Sequence, residues 1–536
     1  MKNSKLIIII LVILAIIVAI FFITRKPPVP VVPVTLYWNL GTEPPTLDPA
    51  LGTDTTSILV IEQLFLGLTD FNDETMEIVP ELATSWEVSE DGLVWAFHMR
   101  KDVYWTDGTP VTAHDIEYGV KRTCDPATAS SYAYVLYIIK GAKEVNTGEI
   151  TDLDHIGVKA IDDYTIQFAL NQPAGYFPAI AGMWIARPVP KWTIEKYGEK
   201  WTEPENIVTN GSYLLTKWAH EDELIMEKNP GYFDADNVQI EKVHCVMVVE
   251  ASTAMAMYED GILDSVEVPL DDMDRVKTDP VLSKELFIAP RLCTYYYGFN
   301  NTKPPMDNPL VRKAFSAAID RQSLIDYVVK GNQIPATTFA CPGVFGHVLP
   351  EEGVGIGYDP EAAKKYLADA GYPGGEGLPE ITLMFNTSEA HRKIAQAIQQ
   401  MWKEILGVEV NLTNQEWKVY LNTINEDAPQ IYRLGWCADY PDANNWVYEV
   451  FHSTDSNNRI KWHNAEFDRT VEEAARESDP AKRLELYKRA EQILCEEEAA
   501  MAPIYFYTFV RVTKPYLTRT YSSLAGEHFK DWRITK

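Results

Sequence analysis

Residues 381–412 read ITLMFNTSEAHRKIAQAIQQMWKEILGVEVNL, and the punctuation of this stretch decides the fold class. Ile381 to Phe385 is an apolar run of strand length. Ser388 follows as a helix N-cap, because its side-chain oxygen can accept one of the N–H groups that a first turn leaves unpaired. Ile394, Ile398, Met401, Trp402 and Ile405 recur at helical spacing, and Gly407 supplies the residue that ends a helix. Val408 to Leu412 alternates as the next strand. A strand-helix-strand unit predicts an α/β sheet whose ligands gather beyond the carboxyl ends of its strands. Asn386 and His391 both follow a strand and belong to that rim.

Downstream, Ile431 to Leu434 is a short apolar run interrupted by Arg433, and the chain breaks at Tyr440-Pro441. The residue before a proline is pushed out of the helical region, so the segment reads as a strand ending in a turn. Gly435-Trp436-Cys437-Ala438-Asp439 lies at that end, on the same rim. A carboxylate and a guanidinium this close suit the two charged ends of a zwitterion. The plainer alternative is that Asp439 caps a turn and Arg433 pairs with a surface acid.

With 536 residues, 46% hydrophobic and 23% charged, the chain is too long for one core and predicts at least two domains. Its net charge of −29 argues against a nucleic-acid partner, which needs clustered Lys and Arg. The 14 Trp and 28 Tyr suit a protein that lines a cavity with amphipathic rings. Leu6 to Thr24 is an uncharged apolar run that would rise about 28 Å as a helix, enough to span a bilayer. With no small-residue cleavage site after it, residues 1–26 read as an uncleaved signal anchor, and the proline-rich residues 27–34 as a stiff stalk. The bulk of the chain then lies outside the membrane.

The rest alternates strand and helix signals. Trp86 to Met99 reads as a hairpin turning on Glu90-Asp91-Gly92, and Thr112 to Asp115 as a capping box that leaves His114 on a helix surface. Ile207 to Tyr213 reads as a strand turning on Asn210-Gly211. Asn308-Pro309, Asp359-Pro360 and Asp479-Pro480 each set a capping side chain before a proline at the first helical position. Six cysteines, at 124, 245, 293, 341, 437 and 495, show no C-x-x-C spacing, and sequence leaves their pairing open.

Signals for catalysis are absent: there is no G-x-S-x-G, S-x-x-K, H-E-x-x-H, P-loop or dinucleotide glycine fingerprint. No histidines pair at metal-ligand spacing, and Cys437 lacks the electropositive setting of a thiol nucleophile. The reading is therefore of a non-enzyme without cofactor or metal. A hydrolase using Asp439 and a second cleft carboxylate is the competitor from another class.

An ordered set of stretches then resembles the extracellular solute-binding proteins of the peptide/nickel class, and within it the oligopeptide-binding proteins. They are Leu47-Asp48-Pro49, Val94 to His98, Trp105 to Ala113, Ile207 to Tyr213, Asn229 to Tyr232, Leu292 to Tyr297, Asn386 to Ser388 with His391, Asn414 to Trp417, Gly435 to Tyr440 and Ile504 to Tyr507. The resemblance implies a two-lobed clamp with an extra domain in the first lobe. Lobe I would comprise residues 35–65, 192–292 and 509–536, the extra domain 66–191 and lobe II 293–508. It implies a monomeric receptor that encloses an oligopeptide by hinge closure and delivers it to the permease and ATPase subunits of an ABC importer. Binders of dipeptides, nickel complexes or oligosaccharides belong to the same class and are the nearest alternative.

By the same resemblance Asp439 matches the carboxylate that holds the peptide's α-amino group, and Cys437 would be disulfide-bonded to Cys293. Arg433 and His391 match groups set against the peptide's carboxylate. Tyr132, Trp417, Trp436 and Tyr507 match pocket aromatics, and Thr55 and Tyr296 are carried over as further ligand-facing positions. Two positions depart from close relatives: Ile424 stands where a second carboxylate-holding arginine is expected, and Thr53, with Asp54 beside it, where an acid is expected. A lysine used for longer peptides has no clean equivalent, although Lys330 is near.

Overall fold

The computed structural model describes residues 33–454, 456–524 and 526–535. The anchor expected at residues 1–26, and all of the stalk but Pro33 and Val34, lie outside the described residues. Among the described residues no helix is long and apolar enough to cross a membrane.

In chain order the elements used below are strand β1 (Thr35–Asn39), helix α1 (Thr55–Leu64), β2 (Ala83–Val88), β3 (Val94–Met99), α2 (Ala113–Cys124), β4 (Val158–Asp162), β5 (Thr165–Ala169), β6 (Tyr213–Ala219), β7 (Glu223–Lys228), β8 (Lys242–Val246) and β9 (Ser265–Glu267). They continue with β10 (Leu286–Phe299), α3 (Pro309–Ala317), α4 (Pro360–Asp369), β11 (Ile381–Asn386), α5 (Glu389–Leu406), β12 (Val410–Gln415), α6 (Trp417–Asp427), β13 (Ile431–Cys437), α7 (Ala465–Arg476), α8 (Pro480–Gln492) and β14 (Met501–Thr513).

The strand-helix-strand unit of residues 381–412 forms as its residues predict. Ser388 Oγ accepts the His391 N–H, Gly407 closes α5 at φ +72°, and β11 runs parallel to both β12 and β13. Trp402 of α5 is fully buried and donates its indole N–H to Phe315 O at 2.9 Å, which ties α5 to α3 without leaving a polar atom orphaned. Asn308, Asp359 and Asp479 cap α3, α4 and α8 ahead of proline. Thr112 and Asp115 form the capping box of α2, with His114 exposed in its first turn.

One mixed sheet crosses the molecule in the order β12-β11-β13-β10-β14-β9-β1-β8-β7-β6. Only the long central strands β10 and β14 reach from the β13 side to the β9 side, so they carry the connection between the two lobes. A separate antiparallel sheet, β2-β3-β5-β4, lies off this path, and β2 and β3 are the hairpin expected at Trp86 to Met99.

Two expectations are corrected. Ile207 to Gly211 is not a strand, and pairing begins at Tyr213. Asn210 Oδ1 accepts the Leu66 N–H at 2.9 Å and the Gly211 N–H donates to Leu64 O at 2.8 Å, so this stretch is pinned to the end of α1. A Cβ at Gly211 would come within 2.5 Å of Gln63 O, which explains the glycine better than a turn does. The second correction is Tyr296. Side chains alternate along a strand, so Tyr295 and Tyr297 share one face of β10 and Tyr296 takes the other. It is 2% exposed, packed edge-on against Phe339 and Phe451, and does not reach the cleft.

Candidate functional site

The cleft between the lobes holds a cavity of about 350 Å³ at the carboxyl end of β13, where an α/β sheet is expected to bind. Asp439, Arg433, Trp436, Cys437, His391, Trp417, Tyr132, Tyr507 and Thr55 all line it. Gly435 lines it too, and a Cβ there would come within 3.2 Å of the Tyr507 hydroxyl.

Asp439 is held by two donors. Tyr132 Oη and Asn445 Nδ2 both donate to its Oδ2, at 3.0 and 2.9 Å, and its own N–H donates to Asn445 Oδ1 at 2.9 Å. Both of these donors go to Oδ2 and neither to Oδ1. No Lys, Arg or His pairs with this carboxylate among the described residues, and burial pushes its pKa up to about 7 against those two hydrogen bonds. Asn445 is fully buried and also accepts from Trp436 Nε1 at 3.2 Å and donates to Glu449 Oε2 at 2.7 Å. Burial pushes Glu449 up to about 8, and behind Asp439 it accepts from Asn445 Nδ2 and from the Tyr440 hydroxyl. The local arrangement suits an ammonium guest: an acid that is costly to ionise alone becomes favourable once a cation arrives.

Arg433 has the complementary problem. It is 7% exposed, its Nη1 donates to Asn386 Oδ1 at 3.1 Å, its Nη2 donates to the Tyr507 hydroxyl, and its guanidinium lies 4.6 Å from the Tyr295 ring centre. Its Nε is buried without a partner, and no carboxylate pairs with it among the described residues. His391 lies close by, its Nδ1 3.4 Å from the Tyr295 hydroxyl. Burial and the Arg433 charge hold His391 well below the usual histidine range, so it is neutral in the empty cavity. The surface-acid alternative for Arg433 is therefore wrong, as is simple turn-capping for Asp439.

Cys293 and Cys437 stand directly opposite on β10 and β13 and form a disulfide, with Cα atoms 4.0 Å apart. The bridge fastens the strand end from which Asp439 projects. Cys124, Cys245, Cys341 and Cys495 are free and buried.

The two sides of the cleft touch across the cavity. Tyr132 stacks on Trp436 at 6.3 Å and 13° besides bonding Asp439, and Tyr176 stacks on Tyr440 at 5.3 Å. Trp417 Nε1 donates to Asp54 Oδ1 at 3.2 Å. Asp54, noted in the sequence only as a neighbour of Thr53, caps α1, and its Oδ2 is buried without a partner. Ile424 is fully buried away from the cavity, and Lys330 pairs with Asp274 outside it. Glu62 and Arg291 also line the cavity, and Asn445 and Glu449 stand behind Asp439; sequence reasoning missed all four. Nothing in the immediate sequence marked them, because each depends on contacts made after folding. Among the described residues no cluster of three or more His, Cys, Asp or Glu could hold a metal ion.

Comparison with known proteins agrees with this geometry. The profile described as "Bacterial extracellular solute-binding proteins, family 5 Middle" matches residues 77–458. The oligopeptide-binding protein OppA of Bacillus subtilis is 38% identical over 482 residues, 88% of each chain. The crystal structure of Haemophilus influenzae OppA in complex with the peptide RPPGFSPFR superposes with TM-score 0.87 at 30% identity, covering 94% of this chain and 99% of that one. The Escherichia coli murein tripeptide binding protein MppA gives 0.87 at 33% identity, covering 94% and 98%. Its unliganded open form gives 0.65 over the same coverage, so the lobes here are in the closed arrangement.

Proposed function

Because the chain belongs to the bacterial extracellular solute-binding proteins of family 5, we propose that it is the oligopeptide-capturing receptor of an ABC importer. The observation that carries this reading is a pair of unmatched charges in one closed cavity: among the described residues Asp439 has no paired cation and Arg433 no paired acid. An extended peptide brings both missing partners. Its ammonium meets Asp439 Oδ1, and its carboxylate meets Arg433 beside neutral His391. A terminal charge buried without a partner would cost several kcal/mol, so the two ends select against blocked guests. Between them the peptide backbone can be satisfied by strand-like pairing that is indifferent to sequence. The aromatic walls, Tyr132, Trp417, Trp436 and Tyr507, give side chains apolar contact without fixed polar demands.

Capture is a population shift. Groups on opposite sides of the cleft share the guest, so binding favours the closed arrangement over the open one. The binding lobes work outside the cytoplasm, and the chemistry of import belongs to the partner permease and ATPase subunits. Residues 66–191, with the β2-β3-β5-β4 sheet, act as an extra domain that brings Tyr132 to the amine end. Residues 1–26 anchor the receptor as a monomer to the membrane, and the proline-rich stalk holds it clear of the surface. Mass spectrometry of small molecules released by denaturing the natively purified protein tests the reading. Peptides with free termini are expected; a sugar, a metal complex or only terminally blocked compounds would overturn it.

A further inference from the structure

The first residues of α5 reach across the cleft. Glu389 and Lys393 stand four positions apart, and such residues share one face of a helix. Glu389 Oε2 accepts the Ser252 N–H at 2.9 Å, and its Oε1 accepts the Ser252 hydroxyl at 2.7 Å. Lys393 pairs with Asp271. Ser252 lies in the connection from β8 to β9 and Asp271 in that from β9 to β10, whereas α5 joins β11 to β12 on the far side of the central strands. Both contacts therefore join one lobe to the other.

The Ser252 contact meets a need of the helix Ala251–Glu259. Glu250 stands at the N-cap of that helix with no side-chain bond to its first turn, and the turn holds no acid. The Thr253 and Ala254 N–H groups donate to Glu250 O at 3.0 and 3.1 Å, and the Ser252 N–H is one of the donors that a first turn leaves over. Glu389 supplies from the facing lobe what the helix lacks, a carboxylate at the positive end of its dipole. Burial raises the Glu389 carboxyl, while the Ser252 bonds, with Glu250 and Lys393 close by, lower it. The balance falls below the usual range, so Glu389 is an anion at neutral pH.

The latch residues stand apart from the guest. Ser252, Asp271, Glu389 and Lys393 do not line the cavity that holds Asp439 and Arg433; they line a second one of about 470 Å³ beside it. His391, two residues beyond Glu389 in the same turn, does line the first. The turn of α5 that offers His391 to a guest is thus also the turn that grips the opposite lobe.

We propose that Glu389 is a closing latch: it caps the Ala251–Glu259 helix only when the cleft is shut, and so adds one fixed increment to the capture of every guest. This rests on the two-lobed capture reading above but on no particular guest. A contact made in the closed arrangement alone shifts the balance between open and closed by its own free energy. Discrimination among guests stays with the groups of the first cavity. The Lys393–Asp271 pair is more exposed, Asp271 by 79%, and adds little.

The test measures affinity and release rate for several peptides, each as free acid and as C-terminal amide, in the wild type and in Glu389→Ala. Affinity should fall by about fivefold to tenfold, equally for every form bound, through faster release with association unchanged. Unchanged association shows that the variant is folded. Ser252→Ala, which keeps the N–H but not the hydroxyl, gives a smaller loss that vanishes when Glu389 is already Ala. In the unliganded proteins the closed fraction, counted by single-molecule energy transfer between dyes on the two lobes, falls by the same factor. Unchanged affinity and release in Glu389→Ala overturn the proposal. So does a loss that differs between acid and amide, since Glu389 would then touch the guest, or a Ser252→Ala effect that persists in the double variant. The dye count needs no guest. A wild-type protein that binds no peptide therefore overturns the peptide reading, while the latch stands or falls on that count.

Discussion

Asp439 is expensive to hold in an empty cavity. Its carboxyl titrates at about 7 in the folded chain against about 3.9 in an unfolded one, because burial outweighs the Tyr132 and Asn445 hydrogen bonds. The folded value lies above the unfolded value, so this residue's contribution is full below about pH 4 and is lost as pH rises to about 7. Asp439→Asn should therefore leave the unliganded midpoint unchanged near pH 4 and raise stability by about 2–4 kcal/mol at pH 8, read by denaturant titration. The same substitution should weaken peptide binding at pH 8 by about 3 kcal/mol, roughly a hundredfold. Stability and binding then move in opposite directions, as expected when a site holds strain for its ligand. Wild-type affinity should fall by about tenfold per pH unit below pH 7, where a proton must leave Asp439 before an ammonium can pair with it. Asp439 and Arg433 stood out in the sequence as candidates, but their isolation from opposite charges did not. That no acid pairs with Arg433 and no cation with Asp439 among the described residues is a fact about what fails to approach them, and a linear string does not contain that. Tyr296 was misassigned for a related reason: three consecutive tyrosines look alike until strand parity sets Tyr296 against Phe339 and Phe451 and its two neighbours on the opposite face.

At the scale of elements, the site depends on the carboxyl end of β13 being stationary. The Cys293–Cys437 bridge closes a separation of 144 residues and ties that end to β10. Replacing both cysteines by serine should lower unfolding free energy by about 2–5 kcal/mol, measured as a shift in denaturant midpoint under conditions where the wild type stays oxidised. A midpoint unchanged by the double substitution would mean the bridge adds nothing beyond the pairing of β10 with β13. Elements with strong local punctuation were readable: Ser388 and Gly407 bound α5, and three Asx-Pro pairs open α3, α4 and α8. Ile207 to Gly211 was not, because Asn210 and Gly211 donate to Leu64 at the end of α1, more than a hundred residues earlier, and Thr209 bonds Thr106, instead of a neighbouring strand. The irregular pairing of β10 with β14 around Arg291 is likewise invisible in sequence, since it is a property of two strands in register and not of either one.

For the whole molecule, the closed arrangement is held by contacts that span the cleft, and Tyr132 makes two of them, to Asp439 and to Trp436. Tyr132→Phe keeps the ring stack and removes the hydroxyl, so it should weaken peptide binding by about 1–2 kcal/mol, or about five- to thirtyfold. Small-angle scattering should find the unliganded protein expanded relative to its peptide complex, with the Phe variant needing more peptide to reach the compact state. The overall clamp was legible only through resemblance. Local patterns gave strands and helices but not the passage of β10 and β14 between lobes, which pairs residues separated by about two hundred positions. The most direct test of the whole account is calorimetry of one bound peptide, with free and with acetylated amino terminus, against the wild type and Asp439→Asn. The wild type should lose about a hundredfold or more in affinity on acetylation, and Asp439→Asn should bind both forms alike. An acetylated peptide held by the wild type as tightly as the free one would contradict it.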